Sequence, residues 1–388
     1  MFLLLSFSLS FSRNSIYISV ISVKDGLNMN ESLSNKQIMF IIYGTIVGYG
    51  IVELPRKAVE AAGTSGWICI LIAGIISTFV THMILYLSYV YKDKTLFEYS
   101  NILVGKYITY VFASIYVIYF FIMFTMITRI SSELIKLTVL LETPQMVLCI
   151  FFYLVAYYAV IKKIRVVGQL NEIYSIITIC FIVGIQITMF SQGKSINLKP
   201  YVVTSDMIVY FINSFKMIFS FLGMEILVAI PLTKENDKKI FKYSSFIIIL
   251  LTLVYIILTE SCIALMGADE VIHYKDVLFV AIRRVDIQPL QFLRRMDSIF
   301  ISAWIMVIIC SVMLFSYGAV LFTSKIFNKV NYNIIVSAIF LLSLVFSQIP
   351  RTVAQIENII DILSYLGVVT GLIIPLILFI IMKVKKYV

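Results

Sequence analysis

The feature that most constrains this chain is a succession of ten apolar segments, at about 37–54, 67–90, 107–128, 144–161, 171–190, 207–231, 244–266, 298–323, 332–349 and 359–382. Stretches such as Ser245 to Leu258 and Ile299 to Phe315 are apolar on every face rather than at alternate residues. A spanning helix needs about 20 mainly apolar residues, whereas a barrel strand needs about 10 in alternation. The pattern therefore predicts an all-α integral membrane protein. Composition agrees: 61% of residues are hydrophobic and 13% charged, against about 45–50% and 25% in soluble domains, so the surface itself must be apolar.

An even number of crossings places both termini on one side. Loops on the N-terminal side hold 17 Lys and Arg against 12 on the other, which predicts cytoplasmic termini. The net charge of +10 is thus a matter of membrane orientation, not of nucleic-acid binding. Cys69, Cys149, Cys180, Cys262 and Cys310 each stand alone in an apolar run, which argues against a disulfide framework or a zinc site. With only His82 and His273 in the chain, and with no nucleophile motif or phosphate loop, neither an enzyme nor a cofactor is expected, and no metal. Residues 1–28 lack the basic start of a signal peptide, and Phe2 to Phe11 is too short to span. They read as a dispensable extension with translation beginning at Met29, the alternative being an amphipathic segment on the membrane; residues 29–388 form one permease-like domain.

Two non-spanning stretches are informative. Residues 92–106 mix polar and apolar positions and predict a short interfacial helix. Residues 267–297 place Val277, Leu278, Val280 and Ile282 at near-helical spacing, and are expected to fold over the outer face.

Two segments are interrupted. The first, IMFIIYGTIVGYGIVELPRK, carries Gly44, Gly48 and Gly50 ahead of Pro55. Gly44 and Gly48 read equally as a close-packing pair, while Gly50 and Pro55 favour an unwound stretch. The sixth, YFINSFKMIFSFLGMEILVAIPLTKE, carries Gly223 and Glu225 near its middle and Lys216 farther out, and a charge at mid-bilayer needs a partner or a cavity. Interruptions at 44–50 and 220–225 open the two five-helix halves, and such paired breaks point to a transporter-type binding site. Their loose ends offer free amides and carbonyls, suited to the carboxylate and ammonium of an amino acid.

The strings GTIVGYGIVELP, EAAGTSGWI, TLFEYSNILVGK, FLGMEI and RRMDSIFISAWI occur in order from Met29 to the C-terminus. Together they resemble the endospore germination permeases, the B-type membrane subunits of nutrient germinant receptors in spore-forming Firmicutes, within the amino acid–polyamine–organocation (APC) superfamily. The resemblance implies ten transmembrane helices in a five-plus-five inverted repeat of the LeuT/APC type, with helices 1 and 6 broken around a nutrient pocket. It also implies residence in the spore inner membrane beside an A-type membrane subunit and a C-type lipoprotein. Glu53, usually apolar in the family, and Gln169, where Arg is expected, depart from the pattern and bear on ligand identity.

The expected ligand-binding residues are Gly44, Thr45, Gly48, Gly50, Ser220, Phe221, Gly223 and Glu225; the expected gating or coupling residues are Glu53, Lys216 and Glu172. Glu225 reads equally as a pocket or proton-accepting carboxylate and as a cap on broken-helix amides. Glu172 reads as an inner gate or as a partner of Lys162, Lys163 or Arg165. Glu53 and Lys216 are candidates for an outer-gate pair, the alternative being that Lys216 snorkels to the headgroups. Tyr116, Tyr119 and Tyr317 suit ligand stacking or packing, His82 a satisfied core position with a proton relay as the alternative, and Glu260 a water-facing one. Asp297 reads as an N-cap or a partner of Arg294 and Arg295. The leading function is a receptor subunit that binds a small nutrient and signals to partners; the alternatives are a proton- or cation-coupled amino-acid transporter and a ligand-free membrane scaffold.

Overall fold

Helix α1 (Asn35–Ile46) starts where the sequence supplies a reciprocal cap. The Ser34 hydroxyl accepts the Gln37 N–H at 3.2 Å while the Gln37 side chain accepts the Ser34 N–H at 3.0 Å, satisfying two amides that a helix start leaves free. This computed structural model describes residues 32–48, 50–202, 206–285 and 296–385. Residues 1–28, Arg294, Arg295 and the side chain of Asp297 lie outside the described residues.

The first half continues through α2 (Gly50–Ala62), α3 (Gly66–Val90), α4 (Leu96–Val104), α5 (Lys106–Thr138), α6 (Gln145–Ile161) and α7 (Lys163–Gln192). The second half opens with α8 (Met207–Met217) and two 3-10 turns, Ile218–Phe221 and Met224–Ala229. It proceeds through α9 (Lys239–Met266), α10 (Ala268–Val271), α11 (Val277–Arg283), α12 (Met296–Ile326), α13 (Tyr332–Ser347), α14 (Val353–Val368), a π turn (Val369–Ile373) and α15 (Ile374–Val384). Six helical stretches are long and apolar enough to cross a bilayer on length alone, and α6, α8 and α13 are shorter apolar helices. The chain is a multi-pass membrane protein whose two halves each begin with a broken helix.

Packing follows from the small residues. The broken first helix presses on α7, α9 and α12; α12 lies along α5 and α7, and α3 along α9. A Cβ on Gly74 would come within 2.7 Å of the Thr252 methyl, so glycine sets the α3–α9 distance. Helix α5 runs to Thr138 instead of ending near 128, because Arg129, 7% exposed, pairs with Glu133 one turn on at 2.6 Å. That neutralises the charge that read as the end of the span.

The predicted interfacial helix is α4, which buries Leu96, Tyr99, Ser100 and Leu103. On the same face, Asn236 donates to Leu33 O at 2.9 Å, Asn35 to Asp237 at 2.7 Å, and Lys385 to Leu103 O at 2.8 Å. The start of α1 and the end of α15 therefore share one side. On the opposite face, α11 buries Val277, Leu278, Phe279, Ala281 and Ile282 against α2, α9 and α12, so the predicted outer loop does fold down. Lys275 ties that loop to Glu357 of α14. Glu260 departs from expectation: it is half-buried in α9, with one carboxylate oxygen sealed from solvent and lacking a hydrogen-bond partner, because α9 is packed on several sides.

Candidate functional site

The first break lies between Ile46 and Gly50; Gly48 within it and Gly44 just before it both serve packing. A Cβ on Gly44 would meet Cys310 Cβ at 3.1 Å and the Asn171 amide more closely, and one on Gly48 would come within 2.6 Å of Ser311 Oγ. Gly44 is itself helical, so close packing and unwinding coexist, one turn apart.

Unwinding frees carbonyls that lipid cannot satisfy. Ser311 of α12 donates to Gly44 O at 2.7 Å. The Tyr255 hydroxyl of α9 donates to Ile46 O at 3.0 Å and stands 3.5 Å from Ser220 O of the second break. One phenol thus staples both interruptions, a role that the sequence did not disclose.

The second break is wider than expected. The backbone turns extended at Leu222 (φ −62°, ψ 145°) and left-handed at Gly223 (φ 127°), and 3-10 geometry continues to Ala229. A Cβ on Gly223 would sit 2.8–2.9 Å from Thr45 backbone and side chain, so only glycine lets the two breaks touch here. They meet again at Gly50, whose added Cβ would lie 3.6 Å from Ser220 O.

Glu225 follows, with no solvent exposure. One carboxylate oxygen accepts the Gly223 N–H at 2.7 Å, and the other accepts the Tyr119 hydroxyl of α5. The capping role is therefore present, together with a phenol partner. Behind this pair, Gly367 and Gly371 of the tenth span leave room: a Cβ on Gly367 would stand 3.1 Å from the Tyr119 oxygen, and one on Gly371 3.7 Å from the Glu225 carboxylate. The π turn Val369–Ile373 carries Gly371 and releases Thr370 O to accept the Tyr116 hydroxyl at 2.5 Å. Tyr116 otherwise stacks on Phe322, with ring centroids 5.1 Å apart, which is a packing role. Clustered small residues in GVVTGLIIP, Gly367 to Pro375, were the available signal for this third irregularity.

Between the breaks lies a cavity of about 60 Å³ lined by Thr45, Gly50, Ser220 and Leu222, with Glu53 and Lys57 at its outer side and Met123 and Phe315 opposite. Tyr119 stands one turn inward of Met123 on α5, which puts the Glu225–Tyr119 pair beneath the floor. Thr45 spends its hydroxyl on Ile41 O and Ile42 O at 2.9 and 3.1 Å. Phe221 turns away against Tyr255, with centroids 5.3 Å apart.

The expected gating residues separate. Glu53 pairs with Lys57 at 2.7 Å, and Lys57 also approaches Asp361 of α14 at 3.8 Å. Lys216 is exposed on α8, and among the described residues no ion pair joins it to Glu53. Sequence reasoning paired Glu53 with Lys216 and missed that Lys57, one turn along α2, is nearer. Glu172 is half-buried beside Asn171 with no ion pair among the described residues. His82 is satisfied, its Nε2 lying 2.8 Å from Ser245 Oγ and 3.1 Å from Phe241 O.

Comparison with known proteins accords with this architecture. The family model described as spore germination protein, the spore permease family, matches residues 32–356. Spore germination protein A2 of Bacillus subtilis (strain 168) is 27% identical over 364 residues, 91% of this chain and 96% of that protein. Spore germination protein GerLB of Bacillus cereus is 23% identical, over 92% of this chain and 96% of that protein. Among solved structures, MhsT in complex with L-phenylalanine aligns with a TM-score of 0.68 at 11% identity, covering 89% of this chain and 88% of that one. The fold is therefore the LeuT-type helical arrangement, and the chain belongs to the spore germination permease family, which is not a family of enzymes.

Proposed function

We infer that this chain is the B-type, nutrient-binding subunit of a germinant receptor, and that it seats the ammonium group of a small amino acid at Glu225. The observation that carries this reading is a fully buried carboxylate, held by an amide and a phenol, with no cation beside it among the described residues. An unpaired buried charge costs several kcal/mol, and an opposite charge arriving with the ligand recovers it. Gly50, which opens α2, lines the cavity above this pair, and the free amides of a helix start suit the ligand's carboxylate.

Ligand binding then draws the two breaks and Tyr119 together. Because both breaks are joined to α9 through Tyr255 and the second is joined to α5 through Glu225 and Tyr119, the movement reaches the outer face of the bundle. An A-type membrane subunit and a C-type lipoprotein in the spore inner membrane would receive it, with both termini of this chain cytoplasmic.

The test is a germination dose–response across amino acids, in spores lacking this gene and complemented with wild type or Glu225→Gln. The amide keeps the size and acceptor but not the charge. Half-maximal nutrient concentration should rise at least tenfold at unchanged chain abundance; an unchanged concentration overturns the reading. Uptake of labelled amino acid by proteoliposomes containing this chain alone would identify a transporter instead.

A further inference from the structure

A second cavity, about 320 Å³, lies on the side of the bundle between α3, the turn at Ile218–Phe221 and the tenth span. Its lining is almost wholly hydrocarbon. Ile76 and Val80 form one wall, Phe219 and Leu222 another, and Gly367 and Gly371 the back. Phe219 and Leu222 also line the cavity between the breaks, so the two spaces share a partition. Leu222 is the residue whose extended backbone begins the second break, so its side chain moves whenever that break rearranges.

The back wall is what separates this crevice from an ordinary lipid-facing groove. At Gly371, a residue of the back wall, an added Cβ would lie in van der Waals contact with the Glu225 carboxylate, 3.7 Å away. At Gly367 an added Cβ would lie 3.1 Å from the Tyr119 hydroxyl, with Leu222 Cδ1 nearer still at 2.6 Å. A carboxylate so close to an apolar space is unfavourable unless the occupant of that space brings a positive group to it.

We propose that this crevice is the side-chain subsite of the nutrient, which selects an α-amino acid bearing a branched or aromatic apolar side chain. The proposal rests on the reading that Glu225 holds the ammonium. With the ammonium there, the side chain leaves past Leu222 and over the two glycine faces into the crevice. Burying a four-carbon side chain is worth about 1.5–3 kcal/mol, or roughly 10- to 150-fold in affinity.

The experiment measures binding of glycine and of L-leucine to the full chain, purified in lipid nanodiscs, for wild type, Gly371→Ala and Glu225→Gln. A Cβ at Gly371 meets only ordinary contacts, so the alanine variant folds; its thermal midpoint verifies this. Wild type should bind leucine at least tenfold more tightly than glycine, and Gly371→Ala should cut that ratio below threefold. A wild-type ratio below threefold, or an alanine variant that leaves the ratio intact, overturns the subsite. If neither probe binds wild type, or Glu225→Gln binds both as well as wild type does, the ammonium site itself fails and takes the subsite with it. Glycine binding that depends on Glu225 without a preference for leucine sinks the subsite alone.

Discussion

Glycine has two distinct uses where the breaks meet, and substitution separates them. At Gly223 a side chain meets both a left-handed backbone (φ 127°) and Thr45 atoms at 2.8–2.9 Å, and neither the backbone nor Thr45, whose hydroxyl is bonded within α1, can yield cheaply. Gly223→Ala should destabilise the chain by about 2–4 kcal/mol. At Gly50 the same methyl finds contacts of 3.6–3.7 Å, so Gly50→Ala should change stability by less than about 0.5 kcal/mol. Thermal unfolding in detergent, with tryptophan fluorescence as readout, distinguishes the two; equal losses would mean that the breaks do not touch as described.

Among the elements, α4 shows how a short helix is held at the membrane edge. Thr95 and Glu98 form its reciprocal cap, and Lys325 at the end of α12 pairs with Glu98 at 2.5 Å. Burial pushes the Glu98 carboxyl up, but the hydrogen bonds from Lys325 and Thr95 outweigh it and hold the carboxyl below its usual value. A depressed folded-state value means that the ionised form stabilises α4 at all pH above the ordinary carboxylate range, about 4.3, and that this is lost as pH falls through the lowered value. Amide exchange in residues 96–104 should therefore be level from pH 8 to 5, after correction for intrinsic rates, and accelerate only below about pH 4. Glu98→Gln should show fast exchange throughout.

At the scale of the whole molecule, two cavities line up along the same helix faces. On α5, Met123 and Ile127 line the space between the breaks, and Ile130 and Leu134 line an outer cavity of about 220 Å³. On α14, Ile360 and Ser364 line the former, and Val353 and Glu357 the latter. Steps of three and four residues place each set on one helix face, so the two spaces stack along a single seam. Lys57 lines the space between the breaks, bonded to Glu53 and close to Asp361 of α14. Lys57→Met should open the seam: in a Cys180→Ser background, a cysteine at Ser364 should react at least threefold faster with a charged methanethiosulfonate reagent added from outside. An unchanged rate would show that Lys57 does not close the seam.

Spans, their all-helical character and both interruptions are legible in the chain because each is a local matter. Twenty apolar residues must satisfy their own backbone in lipid, and Gly44 to Pro55 and Gly223 to Glu225 violate helix preference whatever surrounds them. The short helix within residues 92–106 is legible for the same reason. What occupies each break is not local. Tyr255 reaches Ile46 from more than 200 residues away, Tyr119 reaches Glu225 from 106, and Lys57 displaces Lys216 at Glu53 because one turn of α2 is shorter than the gap to α8. Among 24 tyrosines, composition gives no reason to single out those two. Only the packed bundle selects them, because a freed carbonyl or a buried carboxylate takes whichever donor the neighbouring helix brings within about 3 Å.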